Sequence, residues 1–204
     1  MTTTVNNDHA RAGISAVLAP TTDLESAVLD LAAVLSGLVA DRFEIILVSQ
    51  QTPTAVDELR ARAPHLPLRV VEGSAIADGC DAAQFELIFV TAGDGQFDVR
   101  ELNHLFDAVE RGADVAIGYR PRRADGLLRR FQRWGFNVGA GLDCAFSLLR
   151  RDVWAAVGPS LQTSSCCSDL LANVKRQGHQ VAEVAVSPRR PTIGVPLSAS
   201  SRAA

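Results

Sequence analysis

A single carboxylate, Asp94, stands between two glycines directly after a strongly apolar run. The run, residues 87–90 (LIFV), has the length and composition of a strand that is buried on both faces. Ligands of open α/β sheets bind beyond the carboxyl ends of the strands. A carboxylate there, with Gln96 beside it, can bind a hard cation such as Mg²⁺ and, through the cation, a diphosphate. From spacing alone, the simpler interpretation is an ordinary strand-to-helix turn in which Asp98 caps the next helix.

A dense group of arginines marks a second segment. Guanidinium groups at this density suit a phosphate ligand or an anionic membrane surface, with a solvated helix face as the alternative. The members are Arg120, Arg122, Arg123, Arg129, Arg130 and Arg133. The net charge of −3 argues against a nucleic-acid partner.

The sequence also bears on location. No apolar run reaches the ~18 residues that span a bilayer, and the N-terminus lacks the apolar core of a signal peptide. These features predict a cytoplasmic protein, at most peripheral to a membrane.

The cysteines and histidines do not form a metal-ligand pattern. Cys80 and Cys144 stand alone, and Cys166 is adjacent to Cys167, whereas zinc ligands usually have two residues between them. We therefore expect free, buried thiols. The scattered histidines are expected at the surface or at helix ends: His9, His65, His104 and His179.

Strand and helix alternate through Gly112, which predicts right-handed βαβ units and a largely parallel sheet. The predicted strands are residues 13–19, 43–48, 68–71, 87–90, 113–118, 144–149 and 181–186. The predicted helices are residues 24–39, 54–63, 99–111, 126–138, 151–157 and 168–176. Residues 73–83 lack periodicity and are predicted to form a loop. The last strand alternates, so we expect it at an edge or antiparallel position in a mixed sheet.

The chain of 204 residues is long enough to bury a core, and one domain is the default. We expect a single domain over residues 13–192. A disordered tail over residues 1–12 precedes it, and a loose tail over residues 193–204 follows it.

A series of motifs resembles the family-two glycosyltransferases of the GT-A fold, and most closely their polyprenyl-phosphate (dolichol-phosphate mannose synthase-like) branch. The motifs are ELIFVTAGDGQFD, GADVAIGYR, RRFQRWGFNV, DCAFSLLRRDVW and GHQVAEVAVSPRR, in the family's order. The resemblance covers about residues 13–192. It implies a GT-A-like (Rossmann-like) three-layer α/β/α fold with a mixed, mostly parallel central sheet.

The resemblance implies an activity that uses a divalent cation, Mg²⁺ or Mn²⁺. Members of this family transfer a sugar from a nucleotide-sugar donor to a polyprenyl phosphate. By resemblance, Asp94 is the second carboxylate of the metal-binding Asp-x-Asp pair, with Gln96 beside the metal. Asp143, in the DCAF run, is the remaining acidic residue of the acceptor segment. A carboxylate there could orient the acceptor, although an ionised phosphate needs no strong base.

The resemblance also assigns arginines to the phosphates. Arg120, in GYR, faces the donor or acceptor phosphate, and Arg189 or Arg190 corresponds to a late arginine near the donor diphosphate. Arg130 and Arg133 could hold the lipid phosphate. A cation and arginines stabilise the negative charge that develops on a leaving diphosphate.

Several polar positions depart from the family pattern, while the apolar runs are kept. Ala92 replaces the first Asp of the metal pair, and the second strand ends in SQQT, without the usual carboxylates. Gly141 and Ser147 replace an Asp and a Lys of the acceptor segment. One carboxylate binds Mg²⁺ more weakly than two.

These departures leave alternatives open. The main one is a catalytically impaired relative that keeps the fold as a binding or partner module. An unrelated Rossmann-like nucleotide binder is weaker, because no G-x-G-x-x-G follows the first strand. Loops shorter than the family's, around residues 73–83 and 138–141, could expose apolar surface that a second copy would cover, which allows a homo-oligomer.

Overall fold

The computed structural model describes residues 12–19, 23–50, 54–73, 75–91, 97–120, 142–158 and 166–187, except for the side chains of residues 55, 142–145 and 166–169. The strands are β1 (Ile14–Leu18), β2 (Phe43–Ser49), β3 (Leu68–Glu72), β4 (Leu87–Thr91), β5 (Val115–Tyr119), β6 (Leu142–Arg150) and β7 (Val181–Ala185). They form one sheet in the order β3-β2-β1-β4-β6-β5-β7.

One strand of this sheet runs against the others. β6 is antiparallel to both of its neighbours, β4 and β5, whereas every other pair in the described sheet is parallel. The predicted mixed, mostly parallel sheet is therefore confirmed. The last strand, β7, lies at an edge as predicted, but it is parallel to β5. Its alternating pattern reflects its edge position rather than an antiparallel direction.

Helices cover both faces of the sheet. The helices are α1 (Leu24–Val39), α2 (Thr54–Arg62), α3 (Ile76–Asp81), α4 (Leu102–Glu110), α5 (Arg151–Val157) and α6 (Cys166–Arg176), with a 3₁₀ turn at Val99–Glu101. α1, α2 and α4 share one apolar core with the sheet, and α3, α5 and α6 share a second core on the opposite face. Two cores on opposite faces of one sheet make the predicted three-layer α/β/α fold.

The prediction of a loop over residues 73–83 is wrong, because α3 lies within that segment. The helix has little apolar periodicity, since it packs through its smallest residue. A Cβ on Gly79 would lie 2.5 Å from side-chain atoms of Val17 and Val48. At its start, the carboxylate of Asp78 accepts a hydrogen bond from Ala75 N at 3.0 Å. Contacts with the sheet, rather than local pattern, therefore specify this helix. The helix predicted over residues 126–138 lies outside the described residues.

A polar cluster fastens the amino ends of the strands. The Oγ of the fully buried Ser15 donates to Glu44 Oε1 at 2.7 Å and accepts from Phe85 N at 3.0 Å. Arg69 donates to Glu44 Oε2 at 2.8 Å. Within the described residues, no buried side-chain nitrogen or oxygen lacks a hydrogen-bond partner. The cluster is thus fully satisfied, as expected of a structural feature.

The expectations for cysteine and histidine can be checked in part. Cys80 is buried and is not part of a disulfide, as predicted. His65 and His104 are exposed, and His179 follows α6 and faces Asp114 at 3.6 Å. The side chains of the other cysteines, and His9, lie outside the described residues. No helix in the described part of the chain is long and apolar enough to cross a membrane.

Candidate functional site

Most strands of the sheet end at the same edge, because they run parallel to one another. All strands except β6 end there, and β6 begins there. In the register, Phe146 of β6 pairs with Thr91 at the end of β4, and Leu142 pairs with Tyr119 at the end of β5. Asp143 follows Leu142, so its backbone lies at this edge between the ends of β4 and β5. We call this the carboxyl edge.

Arg120, directly after β5, is held at the carboxyl edge by an aromatic ring. Its Cζ lies 4.5 Å from the centroid of the Phe97 ring, a cation–π contact. The Phe97 ring lies 5.0 Å from that of Phe146, which meets Phe89 edge-on at 5.2 Å. These rings are buried, whereas Arg120 is exposed. The edge therefore presents a permanently charged guanidinium on a rigid apolar base.

β5, β6 and β7 approach each other closely beneath Arg120. A Cβ on Gly118 would lie 2.8 Å from the Phe146 ring and 3.0 Å from a methyl group of Val186. Val186 N also donates to Tyr119 O at 2.9 Å. The chain that leaves β7 therefore passes beside the residue that precedes Arg120.

The sequence-predicted site residues can be placed only in part. Arg120 and the backbone of Asp143 are at the carboxyl edge. The other predicted site residues lie outside the described part of the chain: Asp94, Gln96, Arg130, Arg133, Arg189 and Arg190. Asp98 caps the 3₁₀ turn as predicted, since its Oδ1 accepts from Arg100 N at 3.0 Å.

Sequence reasoning missed the contact between Phe97 and Arg120. The residue stands in the same GDGQFD run as Asp94, and its aromatic type was the only available signal. Nothing in the local pattern links it to Arg120, which is far away along the chain. Only the pairing of β4 with β6 and of β6 with β5 brings the two side chains together.

The described rings that lie around Arg120 are apolar, and Asp98 is engaged in its cap. Within the described residues, no group of three or more His, Cys, Asp or Glu side chains could hold a metal ion. These residues alone therefore do not make a metal centre.

A cavity of about 650 Å³ opens at the opposite, amino edge, beside Cys80 and Trp154. Three of its polar side chains have structural partners: Trp154 Nε1 donates to Asp81 Oδ1 at 2.7 Å, and Glu86 accepts from Gly13 N at 2.8 Å. Hydrogen bonds from the backbone of Glu86 itself and of Gly13 lower the pKa of Glu86 below its ordinary value, and nearby arginines lower it further. These contacts join chain segments, which is a structural use.

Comparison with known proteins supports the fold. No protein-family model and no curated protein sequence matches the chain. Among solved structures, it resembles a mannosyltransferase from Pyrobaculum calidifontis in complex with GDP-Man and Mn²⁺, with a TM-score of 0.63 and 15% identity over 90% of this chain. The match covers 59% of that chain, so our chain spans little more than half of the mannosyltransferase.

Two further solved structures also resemble the chain. Glucosyl-3-phosphoglycerate synthase from Mycobacterium tuberculosis, in complex with phosphoglyceric acid, has a TM-score of 0.62 at 13% identity, covering 89% of this chain and 72% of that one. A 4-diphosphocytidyl-2C-methyl-D-erythritol synthase from Anaerococcus prevotii has a TM-score of 0.55 at 15% identity, covering 86% and 87%. The chain thus has the GT-A-like three-layer fold, which these glycosyltransferases and the nucleotidyltransferase share.

Proposed function

We propose that the protein binds a nucleotide-sugar donor at the carboxyl edge of its sheet and transfers the sugar to a polyprenyl phosphate. The observation that carries the proposal is Arg120, held over Phe97 at the edge where ligands bind in open α/β sheets. A fixed guanidinium there can stabilise the negative charge of a leaving diphosphate. Structural neighbours that include a mannosyltransferase with GDP-Man and Mn²⁺ support the choice of donor.

The proposed carboxylates are Asp94 and Asp143. Asp94 follows Thr91 closely in the sequence, Asp143 precedes Phe146 by the same interval, and Thr91 pairs with Phe146. In the sequence, both acids therefore stand at the same short interval from this register pair. Asp94, with Gln96 beside it, would hold Mg²⁺ or Mn²⁺, and Asp143 would orient the acceptor. When bound, such a cation neutralises charge on the diphosphate.

We assign the remaining arginines to the donor diphosphate and to the acceptor phosphate. Arg189 and Arg190 follow β7, which ends beside β5, and we assign them to the donor diphosphate. Arg130 and Arg133 would bind the acceptor phosphate at the cytoplasmic surface of a membrane, with the protein attached peripherally. The acceptor phosphate is already ionised, so the reaction needs no strong general base.

The proposal is tested by thermal unfolding with GDP-mannose, UDP-glucose or CTP, each with Mn²⁺ or with a chelator. We expect a nucleotide sugar to stabilise the protein only with Mn²⁺, by about 2.7 kcal/mol at ~100 times Kd. Asp94→Ala should abolish this effect. The control Asp107→Ala, on the exposed side of α4, should keep it.

Other results would contradict the proposal. Stabilisation by CTP alone would indicate a nucleotidyltransferase. A flat response to every nucleotide would favour a binding or partner module without a donor site.

A further inference from the structure

We infer that the outer face of α1 pairs with the same face of a second copy of the chain, as an antiparallel two-fold dimer. The inference concerns a surface that the proposed function does not use. The groove beside this face is lined in part by Phe43, the first residue of β2, so the groove lies towards the amino edge. Pairing there leaves the carboxyl edge accessible.

The outer face of α1 is apolar or small over most of its length. Among the described residues, Leu29 is the one large apolar side chain that is exposed, at 43%. The residues that follow it on the same face are exposed and small: Ala33, Ser36, Gly37 and Ala40. Ala33, Ser36 and Ala40 also line a groove of about 720 Å³ between α1 and residues 65–67. The face is self-complementary, because in a two-fold pair Leu29 of each copy enters the groove of the other.

Gly37 supports a close approach from outside the chain. A glycine within a helix lowers its stability relative to alanine. Gly79 and Gly118 leave no room for a Cβ, whereas a Cβ on Gly37 would meet nothing within 4 Å. Packing inside the chain therefore does not account for this glycine. A second α1 accounts for it, because Leu29 of the other copy would fill the space over Gly37.

Charges at the two ends of the face favour the antiparallel direction. Asp41, just beyond the end of α1, is exposed, lines the groove and makes no ion pair within the described part of the chain. At the other end, an Arg62 nitrogen lies 2.8 Å from the carboxylate of Glu25, and the Arg62 side chain is 65% exposed.

A two-fold axis at Ala33 brings these unlike ends together. Asp41 and Glu25 are equally far from Ala33 along the chain, so Asp41 of each copy would lie beside Glu25 and its partner Arg62 in the other copy. Arg62 has further N–H donors for a second carboxylate, and the positive end of α1 favours a carboxylate at the same place. A parallel pair would instead bring like charges together.

The test is sedimentation equilibrium of the full chain over a wide range of protein concentrations. A single helix pair is a small interface, so we expect a reversible dimer that dissociates on dilution. Leu29→Glu should weaken the dimer at least about tenfold, because the buried charge occurs twice in a two-fold interface. The matched control, Ala172→Glu, adds the same charge at an exposed position of α6, on the opposite face of the sheet, and should keep the dimer.

Gly37→Ala separates the interface from the fold, because its two effects have opposite signs. It should raise the urea midpoint of the dilute monomer, since alanine favours the helix. It should weaken the dimer about three- to tenfold, since the new methyl group occupies the space for Leu29 of the other copy. Asp41→Asn should weaken the dimer about two- to fivefold at low salt and less at high salt.

The inference is overturned if the wild-type protein stays monomeric at every concentration, which would leave this face to a different partner. A wild-type dimer that Leu29→Glu and Ala172→Glu weaken equally would also overturn it. Dimerisation that Gly37→Ala leaves unchanged would place the contact elsewhere on the molecule and reject the pairing through α1.

Discussion

Arg120 and Arg62 differ in the side chains that they contact. Arg62 on α2 contacts the Glu25 carboxylate at 2.8 Å, so its charge is partly compensated. The guanidinium of Arg120 lies over the ring of Phe97, with its Cζ 4.5 Å from the ring centroid. Arg62 joins two helices. Arg120 lies at the carboxyl edge, where we propose that it binds the donor diphosphate.

Ser15 shows the structural use of a polar residue. Its Oγ accepts hydrogen bonds from Gln84 N and Phe85 N and donates to Glu44. In Ser15→Ala, Phe85 N would lose this acceptor inside the protein, at a cost of about 1–3 kcal/mol. Urea unfolding should therefore show a lower midpoint. Ser36→Ala, on the exposed side of α1, should change stability by no more than about 0.5 kcal/mol. Equal midpoints for Ser15→Ala and the wild type would show that the cluster does not stabilise the fold.

At the scale of elements, the placement of β6 decides what meets at the carboxyl edge. Because β6 lies between β4 and β5 and runs against both, its beginning adjoins their ends. The same arrangement places Phe146 under Phe97 and beside Gly118. A change in the packing of β5 against β6 should therefore affect both stability and Arg120.

Gly118→Ala tests this coupling. The new methyl group would lie 2.8 Å from the Phe146 ring and 3.2 Å from its carbonyl oxygen, so we expect a loss of about 1–3 kcal/mol. Stabilisation by a nucleotide sugar should fall as well, because Phe146 packs under the ring that contacts Arg120. Gly37→Ala in α1 is the control: its Cβ meets nothing within 4 Å, and the helix should gain about 0.5–1 kcal/mol. Unchanged stability of Gly118→Ala in urea unfolding would contradict the described packing.

The elements that were predicted well carry strong local signals. α1 has the predicted bounds, and β2 extends the predicted run by one residue, because each is specified by its own apolar pattern. α3 was missed because contacts with the sheet specify it. The direction of β6 was not predicted, because an apolar run such as CAFSLL does not indicate whether a strand is parallel or antiparallel to its neighbours. The contact between Phe97 and Arg120 depends on the direction of β6. It therefore could not be predicted from the local sequence either.

At the scale of the whole molecule, the two edges of the sheet differ in the contacts that they make. The amino edge is joined by satisfied polar contacts, including the cluster of Ser15, Glu44 and Arg69. Arg120 and the backbone of Asp143, on β6, lie at the carboxyl edge. The resemblance that predicted the GT-A-like fold is therefore supported, whereas the residues that it assigned to the metal and the acceptor remain proposals.

The most direct test of the account is a transfer assay with labelled GDP-mannose or UDP-glucose, a polyprenyl phosphate in detergent, and Mn²⁺. We predict a labelled lipid whose formation requires Mn²⁺, is abolished by Asp94→Ala, falls at least about tenfold in Arg120→Ala and is retained in Asp107→Ala. Absence of labelled lipid with either donor, or formation that is unchanged in Asp94→Ala, would contradict the account.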